Sequence, residues 1–164
     1  MRRLIKLLII TCLALPVACG EQSSAATSPS PTNVTAIMTL TNAGCQYAGP
    51  SQMRPGQLIV HLVDQTSDTF WLGLGLIQAG HTYSDLAAWI DADRARELSG
   101  AKSLGPPDWS SSVAQAQTSS SSSAELKASL VSAGTYAFAC GRLDLTAANP
   151  ERGAWAVGPL TVST

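Results

Sequence analysis

The chain alternates from residue 33 onward. In "NVTAIMTLT", Val34, Ala36, Met38 and Leu40 fall on one side, and Thr35, Ile37, Thr39 and Thr41 on the other. Period two with threonines and aliphatics predicts a half-buried strand over 33–41. "NAGCQYAGPSQMRPGQ" follows, and its glycines and prolines predict a turn-rich connector. "QLIVHLVDQ" predicts a second strand. "DTFWLGLGLIQ" predicts a third, with Phe70, Leu72, Leu74 and Leu76 on one face and Gly73 and Gly75 on the other. Glycines on one strand face imply a close approach by a neighbouring element. The link "DQTSD" is short enough for a hairpin.

The period then changes. Leu86, Trp89, Ile90 and Leu98 recur near helical spacing, so residues 84–98 are expected to form one amphipathic helix. Ser84 or Asp85 can cap its start and Gly100 can end it. "GPPDW" is a rigid turn, and "SSSVAQAQTSSSSS" is expected to be a serine-rich loop. Strands return at "AELKASLV" and "TYAFAC", which puts Tyr136, Phe138 and Cys140 on one face. "GRLDLTAANPERGA" is expected to be a loop, and "WAVGPLTVS" a final strand. Many short strands, frequent turns and one helix predict a mainly β fold, a β-sandwich with one inserted α-helix.

The N-terminus has a different character. Arg2, Arg3 and Lys6 precede an apolar run from Leu7 to Leu15. Nine residues fall well short of the roughly 20 needed to span a bilayer, so the run fits a secretory signal. "LPVAC" resembles the lipobox of bacterial lipoproteins, with Pro16 standing where an aliphatic residue is usual. The resemblance implies a signal peptide over 1–18, a lipid on Cys19, and a protein held on the extracytoplasmic face of the cell membrane. An ordinary signal peptide cut near Ala25 or Ala26 would instead discard Cys19. Residues 19–32 are small, polar and proline-containing, as a flexible tether is, which leaves one domain over 33–164.

Charge and cysteine usage refine this. Removing residues 1–18 takes three of ten basic residues and leaves seven against eleven acidic, a net charge near −4. That balance argues against nucleic acid as a partner. Of four cysteines, Cys12 lies in the signal and Cys19 is the lipid site. Cys45 and Cys140 remain in an oxidising compartment, and they are expected to form one disulfide. No Cys-x-x-Cys occurs to suggest a redox or metal pair.

In order, the elements and the run "GTYAFAC" at Gly134–Cys140 resemble the cupredoxin-like fold, in particular the plastocyanin-like domains of secreted bacterial proteins. The resemblance implies a Greek-key β-sandwich. It places Cys140 at or near the copper thiolate position. Phe70 and Trp71 stand where the family's first copper histidine is expected, and no His or Met follows Cys140. Three of four ligands are thus lacking, and the implied scaffold has no type 1 copper site, which needs two imidazoles, a thiolate and a weak axial group. A disulfide at Cys140 would take the place of copper.

Other candidate chemistry is sparse. His61 and His81 are the only histidines, and a metal site using both would need a carboxylate such as Asp64 or Asp85. Asp91 and Asp93, beside Arg94 and Arg96, read as a solvated helix face. No G-x-S-x-G or phosphate-cradling glycine motif is present. Trp109, after "GPPD", is the best candidate for an exposed aromatic contact with a ligand. The expectation is a non-catalytic binding or interaction module without a cofactor, anchored through its lipid, with a protein or small-molecule partner. The alternative is a copper-handling or electron-transfer protein with an altered site.

Overall fold

The computed structural model describes residues 32–119, 122–143 and 151–164. Among them the strands are β1 (Thr32–Thr41), β2 (Gly44–Ala48), β3 (Gln52–Met53), β4 (Gly56–Asp64), β5 (Thr69–Ile77), β6 (Ser110–Thr118), β7 (Ser123–Leu130), β8 (Gly134–Leu143) and β9 (Glu151–Val162). One helix, α1 (Tyr83–Leu98), lies between β5 and β6. One sheet has the order β2-β1-β4-β7 and the other β3-β9-β8-β5-β6. The architecture is the mainly β sandwich with one inserted helix that the sequence predicts. Parallel pairs β1/β4 and β3/β9 hold strands that are not neighbours in sequence. The expected signal peptide and the expected tether up to residue 31, with Cys19, lie outside the described residues, and Thr32 already belongs to β1. No described helix is long and apolar enough to cross a membrane.

The period-two pattern builds the core. Met38, Leu40, Leu58, Val60 and Leu62 from one sheet meet Phe70, Leu72, Leu74, Phe138 and Leu160 from the other, all fully or almost fully buried. Each such side chain contributes roughly 1.5–3 kcal/mol by leaving water. A second, smaller cluster of Ile77, Leu86, Ile90 and Ala137 joins α1 to the outward face of the five-stranded sheet.

Four sequence expectations need correction. The "DQTSD" link is not a hairpin: β4 and β5 belong to different sheets, and the chain crosses between them. Asp64 makes that crossing, because its Oδ1 accepts from Thr66 N and Oγ1, both at 2.8 Å, and its Oδ2 accepts from Thr118 Oγ1 at 2.9 Å. The connector after β1 is not all turn, since β2 and β3 form within it. The serine-rich stretch is largely strand β6, not loop. Its Ala114 and Ala116 face the core and its Gln115 and Gln117 face outward, paired along β5. Residues 141–143 and 151–154, taken as loop, extend β8 and β9 instead.

The helix begins one residue before the expected start. Its cap is Thr82, not Ser84 or Asp85. Asp85 N donates to Thr82 Oγ1 at 3.2 Å, and Thr82 N donates back to Asp85 Oδ2 at 2.7 Å, which closes a capping box. Ser99 is the C-cap, and Gly100 follows in the left-handed region at φ +81°.

Candidate functional site

Cys140 sits on the inward face of β8 and is fully buried. In the ladder it stands between Leu72 of β5 and Trp155 of β9. Its Sγ is bonded to Cys45 Sγ, with the two Cα atoms 6.6 Å apart. Cys45 is the second residue of β2, opposite Leu40 of β1, so the bridge ties the edge of one sheet to the centre of the other. The cysteines expected to pair are the ones joined.

Aromatic and charged groups fill the space around this bridge. Phe70 and Trp155 stack at 6.5 Å, and Tyr47 lies 5.0 Å from Phe138. Burial pushes the Tyr47 hydroxyl above its ordinary pKa, and this group donates to Pro50 O at 3.2 Å. Gly44 has φ +128°, and a Cβ there would lie 3.2 Å from the Trp155 indole. The backbone conformation calls for glycine, and the tight approach of the indole favours it too. Arg142 closes the end: it donates to Asn42 Oδ1 at 2.6 Å, pairs with Asp68 Oδ2 at 3.2 Å, and lies over the Phe70 ring at 5.9 Å.

These side chains do not fit a type 1 copper ion. The sulfur is bonded to another sulfur, and the neighbouring positions hold Phe70, Leu72 and Trp155 rather than imidazoles. Among the described residues, no three His, Cys, Asp or Glu side chains come together.

The two histidines are not brought together. His61 faces outward from β4, with Nδ1 3.2 Å from Glu125 Oε1 on β7. Lys127, 2.9 Å from the same carboxylate, holds Glu125 below the usual carboxylate range, with a smaller contribution from His61. His81 lies on the other side of the sandwich, exposed in the turn before α1 and stacked on Trp109 at 4.3 Å. The carboxylates considered for them are engaged elsewhere: Asp64 holds the β4–β5 crossing and Asp85 the helix cap.

Trp109 packs into the helix–sheet cluster, edge-on to Trp89 at 6.4 Å. The aromatic groups lining a hollow are Trp71 and Trp89, beside Gly73 and Gly75. The only sequence signal for that hollow was the run of glycines on one face of β5. Asp93 also departs from expectation: its carboxylate accepts from Ser103 Oγ at 2.7 Å and Leu104 N at 2.6 Å, and is not a solvated charge.

Three solved structures of similar layout are auracyanins, and one of them is named a blue copper protein. Auracyanin A of Chloroflexus aurantiacus is 14% identical, with 80% of this chain and 100% of that one covered, at a TM-score of 0.45. Auracyanin B is 17% identical over 84% and 93%, at 0.44. The reduced auracyanin of Roseiflexus castenholzii is 17% identical over 66% and 83%, at 0.38. No protein-family model and no curated protein matches the chain. The described residues form a mainly β sandwich with one helix inserted between β5 and β6.

Proposed function

We propose that the protein is a non-catalytic, cupredoxin-like binding module without a type 1 copper site, anchored by lipid on the extracytoplasmic face of the membrane. The observation that carries this reading is the Cys45–Cys140 bond. The one sulfur at the thiolate position is tied up in a structural crosslink between the sheets. Phe70 supports it further, since it packs as core where an imidazole would be needed. The lipobox-like "LPVAC" and the small, polar tether support a domain displayed away from a membrane surface.

Titration of the purified oxidised protein with Cu(II) tests the reading. No intense visible band from thiolate-to-copper charge transfer is expected. A strong band that is lost in Cys140→Ser would overturn it.

A further inference from the structure

Helix α1 rests mainly on β9, with slight contact to β8 and to Ile77 at the end of β5, and leaves the rest of the outward face of β5 and β6 open. The result is a hollow of about 550 Å³ between the helix, the 103–107 loop and the sheet. That volume is in the range of small-molecule sites, about 300–1,000 Å³. Its floor has few side chains. Gly73 and Gly75 of β5 lie there with Ala137 and Ala139 of β8. Trp71 is the exception: a Cβ on Gly141 would come within 2.5 Å of its Nε1, so the indole rests directly on that glycine. Its six-membered ring edge points along the strand toward Gly73, whose Cβ would lie 3.4 Å from Cζ3.

The far wall is fixed by hydrogen bonds. Trp89 Nε1 donates to Gly105 O at 3.0 Å, and Asp93 accepts from Ser103 and Leu104. Gly105 N donates to Ser103 Oγ at 3.0 Å. Helix and loop are thus tied together around the hollow by the chain's own hydrogen bonds. Such preorganisation lowers the cost of binding.

The lining is mostly apolar, with Trp71 and Trp89 as its aromatic groups. Polar atoms gather along β6, where Gln115, Gln117 and Ser112 project from the same face. An amide offers both donors and an acceptor. Among the described residues no Lys, Arg or His lines the hollow, and the one carboxylate there, Asp93, already accepts on both oxygens. Among those residues an anion would find no cation and one carboxylate nearby.

We propose that this hollow binds a neutral, flat aromatic molecule with a hydrogen-bonding group on one edge. The ring lies on the glycine–alanine floor against the indoles, and its polar edge faces Gln115. The proposal rests on the reading of the protein as a binding module and names the class of ligand.

The test uses the full chain labelled with ¹⁵N and follows its indole N–H signals. The probe is 2-naphthol, with naphthalene-2-sulfonate as the anionic counterpart and methyl β-glucoside as a non-aromatic polyol. 2-Naphthol is expected to shift the Trp71 and Trp89 signals and leave that of the core residue Trp155 in place. The sulfonate is expected to bind at least tenfold more weakly. Gly73→Leu fills the floor from a position without positive φ and with room for a Cβ, and should weaken 2-naphthol at least tenfold. Gln115→Leu, at an exposed position, should weaken it several-fold and serves if Gly73→Leu does not fold. The proposal is overturned by equal binding of sulfonate and naphthol, by glucoside shifting the same indoles while naphthol is silent, or by wild-type affinity in both variants. It is also overturned if naphthol shifts no indole signal. In each case the copper titration is unaffected, so the binding-module reading stands or falls separately.

Discussion

Asp85 shows how one side chain can be read in full. It accepts from Thr82 N and Thr82 Oγ1, and these hydrogen bonds hold its carboxyl below the usual range, with a smaller contribution from His81. A lowered pKa in the folded state means that the ionised form supports folding. That support is complete above the ordinary carboxylate pKa of about 3.9 and is lost as pH falls through the lowered value. Melting temperature should therefore drop on acidification through this window, and Asp85→Asn should remove part of the drop. Thermal melts of both proteins across the acid range provide the check. Thr82→Ala, which deletes the cap itself, should cost about 1 kcal/mol at neutral pH. A cost in Thr82→Ala no greater than that of Ser84→Ala would place the cap elsewhere.

The elements differ in how plainly they are written in the sequence. β4, β5, β7 and β8 each bury large aliphatic or aromatic residues at alternate positions, so their period was visible without a partner. β6 buries Thr118 and half-buries the small Ala114 and Ala116, and its outward serines and glutamines match a loop composition. Pairing with β5 makes it a strand, and tertiary context of that kind leaves no local mark. β2 and β3 are short and set among glycines and prolines, so turn chemistry masked them. The two sides of β6 yield a direct prediction. Ala116→Asp puts a charge toward Leu72 and should cost about 2 kcal/mol or more. Gln115→Asp, one residue earlier and outward, should stay within about 0.5 kcal/mol. Chemical denaturation of the two variants compares them, and equal effects would mean that residues 110–118 are not held as a strand.

At the scale of the molecule, the proposed anchor and the crosslinked sandwich lie far apart in sequence. The proposal gives the N-terminal segment a lipid on Cys19 and a tether, and the sandwich is the crosslinked body they would hold. Cys19→Ala should move the protein from the membrane fraction to the soluble one. A wild-type protein already soluble, with its mature N-terminus beyond Cys19, would contradict the anchor. The expected pairing of Cys45 with Cys140 followed from elimination among four cysteines. The hollow beside α1 was marked only by the glycines on one face of β5, because its walls depend on where the helix rests on the sheet. The crosslink closes a loop spanning 95 positions, for which the chain-entropy model gives roughly 4–5 kcal/mol at most. A domain of this size has about 5–15 kcal/mol in total, so Cys45→Ser with Cys140→Ser should lower the melting temperature by many degrees. The central claim is that the Cys140 sulfur is a structural bond and not a metal ligand. Non-reducing peptide mapping of protein isolated from the cell envelope tests it most directly. A single peptide pair joined through Cys45 and Cys140 is the expected result, and both thiols found free would contradict it.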